Sequence, residues 1–134
     1  VEWRGKPVFI LRRTAEQLED LVALEGQLKD PKSTTSKQPV YIESDDRAIN
    51  AEYFVVLGLC THLGCSPKQI SKLEGKASMG ADWLGGFFCP CHGSKFDLAG
   101  RVYKGVPASD NLEIPPYTFD SASTIIIGVD GGAA

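Results

Sequence analysis

The sequence predicts an all-β fold with a single helix, and three observations carry that reading. The strongest apolar runs are short and rich in β-branched and aromatic residues, as in Tyr53–Leu57 and Ile125–Ile127. With 14 Gly and 8 Pro in 134 residues, the chain is punctuated often enough to suit strands joined by tight turns. Only one stretch, from Ala15 to about Leu28, spaces its apolar residues with a helical period.

Taken in order, Pro7–Leu11 reads as a strand entered from the Gly5–Lys6–Pro7 turn and closed by Arg12 and Arg13. Thr14 is placed to cap the helix that follows, with Gln17 three residues on as in a capping box. Leu18, Leu21, Val22 and Leu28 form its apolar stripe, and Pro31 stops it. Lys32–Asn50 is polar, with the Ser/Thr/Lys-rich stretch Lys32–Lys37 reading as exposed loop and a short strand expected at Val40–Ile42. Ala51–Leu59 is a stronger strand that delivers the chain to Cys60. Ser66–Gly86 is a long insertion, and Phe87–Phe88 lead into Cys89 as a further short strand. Val102–Tyr103, a turn at Gly105–Ser109, Glu113–Ile114, the Pro115–Pro116 break and a last strand Thr124–Val129 complete the pattern. Residues 130–134 read as a frayed tail.

Length and charge narrow the function. A chain of 134 residues fits one domain, and one of this size buries roughly 68 % of its unfolded surface. A net charge of −3 with scattered Lys and Arg argues against a nucleic-acid partner. No apolar stretch approaches the roughly 18 residues of a membrane span. The chain starts Val1–Glu2–Trp3, so an upstream anchor or linker is expected to have been cut away.

Chemistry concentrates in one window. All four cysteines and both histidines fall in two boxes, Cys60-Thr61-His62-Leu63-Gly64-Cys65 and Cys89-Pro90-Cys91-His92-Gly93-Ser94. Thiolates and imidazoles at such spacing on loops after strands are a transition-metal donor set. A lone histidine is usually an ordinary hydrogen-bonding side chain and a lone cysteine a small buried hydrophobe, but their confinement to paired boxes argues for a site. A structural zinc site with two Cys and two His leaves two cysteines unemployed. A two-disulfide framework leaves the histidines without work.

The paired boxes resemble the cluster-binding motifs of Rieske iron–sulfur proteins, in particular those of the cytochrome bc1 type and of proteobacterial kind. Glu2-Trp3-Arg4-Gly5-Lys6-Pro7, Asp97-Leu98-Ala99-Gly100-Arg101 and Asn111-Leu112-Glu113-Ile114-Pro115 extend the likeness over nearly the whole chain. The resemblance implies an antiparallel β-sandwich with a base fold over 1–58 and 108–134 and a small cluster-binding subdomain over 59–107. It implies one [2Fe–2S] cluster, with Cys60 and Cys89 on one iron, His62 and His92 on the other, and a disulfide between Cys65 and Cys91. Exchanging two of four thiolates for neutral imidazoles removes two negative charges. Such centres reach about −150 to +300 mV, against about −400 mV for plant-type ferredoxins.

The same resemblance implies a role. The chain is expected to be the electron-transfer subunit of a quinol–cytochrome c oxidoreductase in a respiratory chain, with cytochrome b, quinol and a c-type cytochrome as partners. Its place would be the periplasmic face of the bacterial inner membrane, held through an N-terminal anchor. His92, with His62 beside it, would meet the quinol, and Leu63 and Pro90 would form an apolar docking rim. Ser94 stands where the family uses a hydroxyl toward a bridging sulfide. Gly64 and Gly93 are expected to let the backbone turn so that N–H groups face sulfur. Phe96 departs from the family by replacing a tyrosine that donates to a ligand sulfur. Gly105-Val106-Pro107-Ala108-Ser109 resembles the loop that covers the cluster, with an added Val and a Ser for Pro. An arsenite-oxidase-like small subunit, a Rieske-type ferredoxin and a zinc-stabilised binding module are the alternatives. The two extra cysteines, Cys65 and Cys91, argue against the ferredoxin.

Overall fold

The computed structural model describes residues 2–34, 38–39, 41–42, 44–61, 64–79, 83–121 and 124–128. Among the described residues, eight strands pair into three small sheets, and every pairing is antiparallel. The first sheet has β1 (Glu2–Trp3), β2 (Lys6–Arg12) and β3 (Tyr53–Leu57) in the order β1-β2-β3. Arg4 and Gly5 both take positive φ (52° and 75°), the geometry of the two-residue hairpin turn that folds β1 onto β2. β2 and β3 stay in register from Val8↔Leu57 to Arg12↔Tyr53. After Tyr53 every residue of β3 is buried, which explains its unbroken apolar run Phe54-Val55-Val56-Leu57.

The capping box forms as the sequence predicts. Gln17 N–H donates to Thr14 Oγ1 (3.2 Å) and Thr14 N–H to Gln17 Oε1 (2.8 Å), opening helix α1 over Ala15–Ala23. The helix is shorter than its apolar spacing suggests. Beyond Leu24 the chain tightens into a 3-10 turn at Glu25–Gln27, where Gly26 is a poor helix former. Leu24 and Leu28 then pack with Trp83 and Tyr103, and Leu28 bridges to Tyr103. In the Val40–Ile42 stretch, Tyr41 and Ile42 lie outside any strand, and Val40 lies outside the described residues.

The 66–86 insertion is more ordered than its composition suggests. It holds β4 (Lys68–Ile70) and helix α2 (Lys72–Ser78), the latter opened by a second capping box between Ser71 and Glu74. β4 pairs with β5 (Gly86–Phe88), which pairs with β6 (Lys95–Phe96). The third sheet is the hairpin of β7 (Tyr117–Ser121) and β8 (Thr124–Ile127). Sequence reasoning passes over β7, which follows Pro115–Pro116; Val129, the expected end of the last strand, lies outside the described residues. Glu113 forms no strand, yet its carbonyl accepts from Leu57 N–H (2.9 Å) along the edge of β3.

One core serves all three sheets: Val8, Phe54 and Val56 meet Phe87, Phe96, Val102, Leu112 and Tyr117 in a single buried cluster. Beside it, three buried arginines grip the turn 97–101. Arg13 Nη1 donates to Leu98 O (3.0 Å), and Arg47 Nη1 to Ala99 O (3.1 Å) and Gly100 O (3.3 Å). Arg101 pairs with Asp97 through Nε and Oδ2 (2.8 Å). Burial pulls the Arg13 and Arg47 guanidinium groups down to about 10, so both remain cations at neutral pH.

Two buried tyrosines yield a pH prediction. Burial raises the Tyr103 and Tyr117 phenols above their ordinary value of 10.0, and the Tyr103 hydroxyl has no hydrogen-bond partner among the described residues. A raised folded-state value stabilises the fold below the unfolded value and loses that contribution above it. Stability is therefore expected to hold constant with respect to these two groups up to about pH 10 and to fall above it. Ultraviolet phenolate titration should show late ionisation of two of the four tyrosines, coincident with unfolding; simultaneous titration of all four near pH 10 would count against it.

Candidate metal centre

The two Cys/His boxes are closed by the same pair of backbone hydrogen bonds. The first leaves β3 through Gly58 and Leu59; the second joins β5 to β6. In the first, Cys60 N–H donates to Cys65 O (2.7 Å) and Gly64 N–H to Cys60 O (2.9 Å). In the second, Cys89 N–H donates to Ser94 O (2.8 Å) and Gly93 N–H to Cys89 O (2.9 Å). Each loop is closed by a glycine at positive φ, +81° at Gly64 and +83° at Gly93, where an L side chain is strained. The two glycine amides are committed to carbonyl oxygens, so any N–H aimed at sulfur comes from elsewhere in the loops.

A disulfide joins Cys65 to Cys91 across the loops, with the Cα atoms 6.5 Å apart. Cys60 and Cys89 form no disulfide and are buried at 4 % and 1 % exposure within the main core. The Cys89 sulfur lies within 4.8 Å of both disulfide sulfurs. Three cysteine sulfurs thus cluster, but two are bonded to each other and unable to act as thiolate ligands, which removes a three-cysteine zinc site. Cys60 and Cys89, which form no disulfide, equally remove the two-disulfide framework.

His92 and Pro90 stand exposed at the tip of the second loop, beside the exposed Cys91. His62 and Leu63, which sequence analysis assigned to the centre and to its rim, lie outside the described residues. Ser94 is fully buried, and its Oγ accepts from Ala108 N–H (3.0 Å). That bond uses an oxygen lone pair and leaves the hydroxyl proton for another acceptor. Phe96 is fully buried in the core. Among the described residues, the donors left by the disulfide are two buried cysteine thiols and an imidazole at an exposed tip. This soft-sulfur and nitrogen set fits an iron–sulfur cluster held partly by histidine.

Two tethers of this centre were not legible in the sequence. Thr61 Oγ1 donates to Asp110 O (2.6 Å), binding the first loop to the segment that follows Gly105–Ser109. Asn111, buried, takes Val102 N–H on Oδ1 (2.8 Å) and donates from Nδ2 to Asp30 O (2.9 Å) and Ser33 Oγ (2.9 Å). Threonine and asparagine beside a motif carry no distinguishing signal, because most of these partners lie tens of residues away.

Comparison with known proteins gives the same picture. The chain is 49 % identical over all 134 residues to the ubiquinol-cytochrome c reductase iron-sulfur subunit of Allochromatium vinosum, and spans 64 % of that protein's length. It is 43 % identical over 129 residues to the mitochondrial cytochrome b-c1 complex subunit Rieske-3 of Nicotiana tabacum, covering 96 % of this chain and 40 % of that protein. The crystal structure of the cyanobacterial plasma membrane Rieske protein of Synechocystis PCC 6803 superposes with a TM-score of 0.42 at 29 % identity, over 61 % of this chain and 70 % of that one. No helix among the described residues is long and apolar enough to cross a membrane. A family model described as the Rieske [2Fe-2S] domain matches residues 14–117, and with the paired Cys/His loops this makes the chain a member of the Rieske [2Fe-2S] family.

Proposed function

We propose that the chain is the soluble electron-transfer head of a quinol–cytochrome c oxidoreductase, working against cytochrome b and quinol on one side and a c-type cytochrome on the other. In this reading Cys60 and Cys89 hold one iron of the cluster and His62 and His92 the other, within a cluster-binding subdomain over 59–107 set on a base of 1–58 and 108–134. The whole protein would sit at the periplasmic face of the inner membrane through an N-terminal anchor. When bound, the [2Fe–2S] cluster supplies a one-electron acceptor of raised potential.

The chain's own groups do the rest. The buried Cys60 and Cys89 thiols are sheltered from water, and the Cys65–Cys91 bond braces the loops that carry them. A disulfide of this kind suits an oxidising compartment such as the periplasm. The exposed His92 ring can present a nitrogen to a quinol hydroxyl and take its proton. Pro90, also exposed, and Leu63 would supply the apolar contact around it.

The observation that carries this reading is the pair of loops closed by the same backbone hydrogen bonds and joined by a disulfide, with a buried cysteine in each that the disulfide does not use. Visible and paramagnetic resonance spectroscopy test it. Iron-loaded protein should be reddish-brown and give a Rieske-type signal on reduction; a colourless zinc protein, or iron bound only through sulfur, would overturn it.

Phe96 offers a finer test. Hydrogen bonds to charged acceptors contribute about 1.5–3 kcal/mol, part of it felt by the more negative reduced state. Phe96→Tyr should restore a donor near the centre and raise the potential by tens of millivolts, where about 59 mV is a tenfold change for one electron. Protein-film voltammetry on both forms decides it, and an unmoved or lowered potential in the variant contradicts it.

A further inference from the structure

Lys29, on the strap that follows the 3-10 turn, reaches across to the segment resembling the cluster-covering loop. Its ammonium donates to Val106 O (3.0 Å) and to Ala108 O (2.7 Å), and its backbone N–H donates to Val102 O (2.9 Å). Residues 104–110 belong to no strand; Lys104 N–H donates to Gln27 O (2.9 Å) at their start, but Pro107 at the centre has no N–H to give, so side chains add to the hold on this stretch. The two carbonyls converging on one cation belong to the Val106–Pro107 and Ala108–Ser109 peptides, so they bracket the Pro107–Ala108 peptide between them. The N–H of Ala108 is thereby held against the buried Ser94 Oγ at 3.0 Å.

The geometry points to Lys29 as a positioning residue for the Ser94 hydroxyl, and through it for the reduction potential of the cluster. The inference rests on the proposed electron-transfer reading. Ala108 N–H occupies one lone pair of Ser94 Oγ and so turns the hydroxyl proton toward a different acceptor. With the Lys29 ammonium removed, Ala108 is free to drift, its amide can leave Ser94, and the hydroxyl loses its fixed direction. The reduced, more negative state then loses more stabilisation than the oxidised state, and the potential falls.

The test compares Lys29→Met, Lys29→Arg, Ser94→Ala and the double variant Lys29→Met/Ser94→Ala as iron-loaded proteins. Lys29→Met should retain full iron and hold its electron three- to tenfold less tightly, a downward shift of about 28 to 59 mV by voltammetry. Lys29→Arg should restore most of the shift. In the Ser94→Ala background Lys29→Met should cause none, because the relay is already broken. An equal shift in that background would mean that the lost charge acts through space, and would overturn the inference. So would iron loss in Lys29→Met, or an unmoved potential. Hydrogen exchange followed by mass spectrometry, over the peptide containing Ala108, should accelerate at least tenfold in Lys29→Met; unchanged exchange also overturns the relay. The wild-type paramagnetic signal is recorded first. Its absence defeats the functional reading, whereas a normal signal with an unresponsive potential defeats only the role of Lys29.

Discussion

Replacing Asp97 by Ala is expected to cost about 3–5 kcal/mol of folding stability, the usual penalty for stripping one partner from a buried ion pair. Asp97 and Arg101 are buried at 0 % and 1 % exposure, and the carboxylate satisfies three donors at once. Oδ2 takes Arg101 Nε (2.8 Å), while Oδ1 takes the backbone N–H groups of Ala99 (2.9 Å) and Arg101 (2.8 Å). Without it Arg101 is a buried uncompensated cation, close to two more at Arg13 and Arg47, and the turn after the second loop loses its internal acceptor. Arg101 also donates from Nη2 to Leu21 O (2.6 Å), so the damage should spread to the end of α1. Asp97→Asn keeps one oxygen and should cost less. Asp97→Ala/Arg101→Met removes both charges and should recover part of the loss. Urea unfolding of the four proteins measures this, and a loss under about 1 kcal/mol in Asp97→Ala would show the pair to be dispensable.

The second large effect is expected from the disulfide. Its two cysteines are 26 residues apart. Closing a loop of that length removes denatured-state entropy worth about 3.5 kcal/mol in the chain-entropy account. The Cys65→Ser/Cys91→Ser variant should therefore melt roughly 10–15 °C below the parent, using about 3–4 °C per kcal/mol for a domain of this size. Strong reductant should lower the melting temperature of the parent by a similar amount and leave the double variant unmoved. Equal melting of parent and variant under oxidising conditions would contradict the account. The cost should also appear locally. Each loop keeps its own backbone closure, through the Cys60 and Cys65 pair in one and the Cys89 and Ser94 pair in the other, so loop shape should outlast the tie between loops.

Much of the centre was legible in the chain alone because its signals are local. The Cys/His boxes are contiguous, their glycines fall where a tight turn needs positive φ, and the resemblance to the Rieske family assigned the Cys65–Cys91 pairing found in the fold. The capping box at Thr14 and Gln17 and the β-branched run of β3 are likewise determined by neighbours in sequence. The Ser71 and Glu74 box carried the same signal for α2, hidden inside a glycine-bearing stretch.

What the sequence by itself determined, then, was the set of groups whose partners lie within a few residues: caps, tight turns, the β3 run and the donor inventory of the two loops. Tertiary structure alone decided the two- and three-residue strands β4 and β6, which exist through pairing with β5. It also decided that Arg13, Arg47 and Arg101 are buried struts rather than surface charges, and that Lys29 reaches residues 77 and 79 positions away. The physical reason is that a side chain's burial and hydrogen-bond partners depend on which distant backbone comes to lie beside it. An arginine beside water and an arginine beside buried carbonyls are the same letter until the chain has folded.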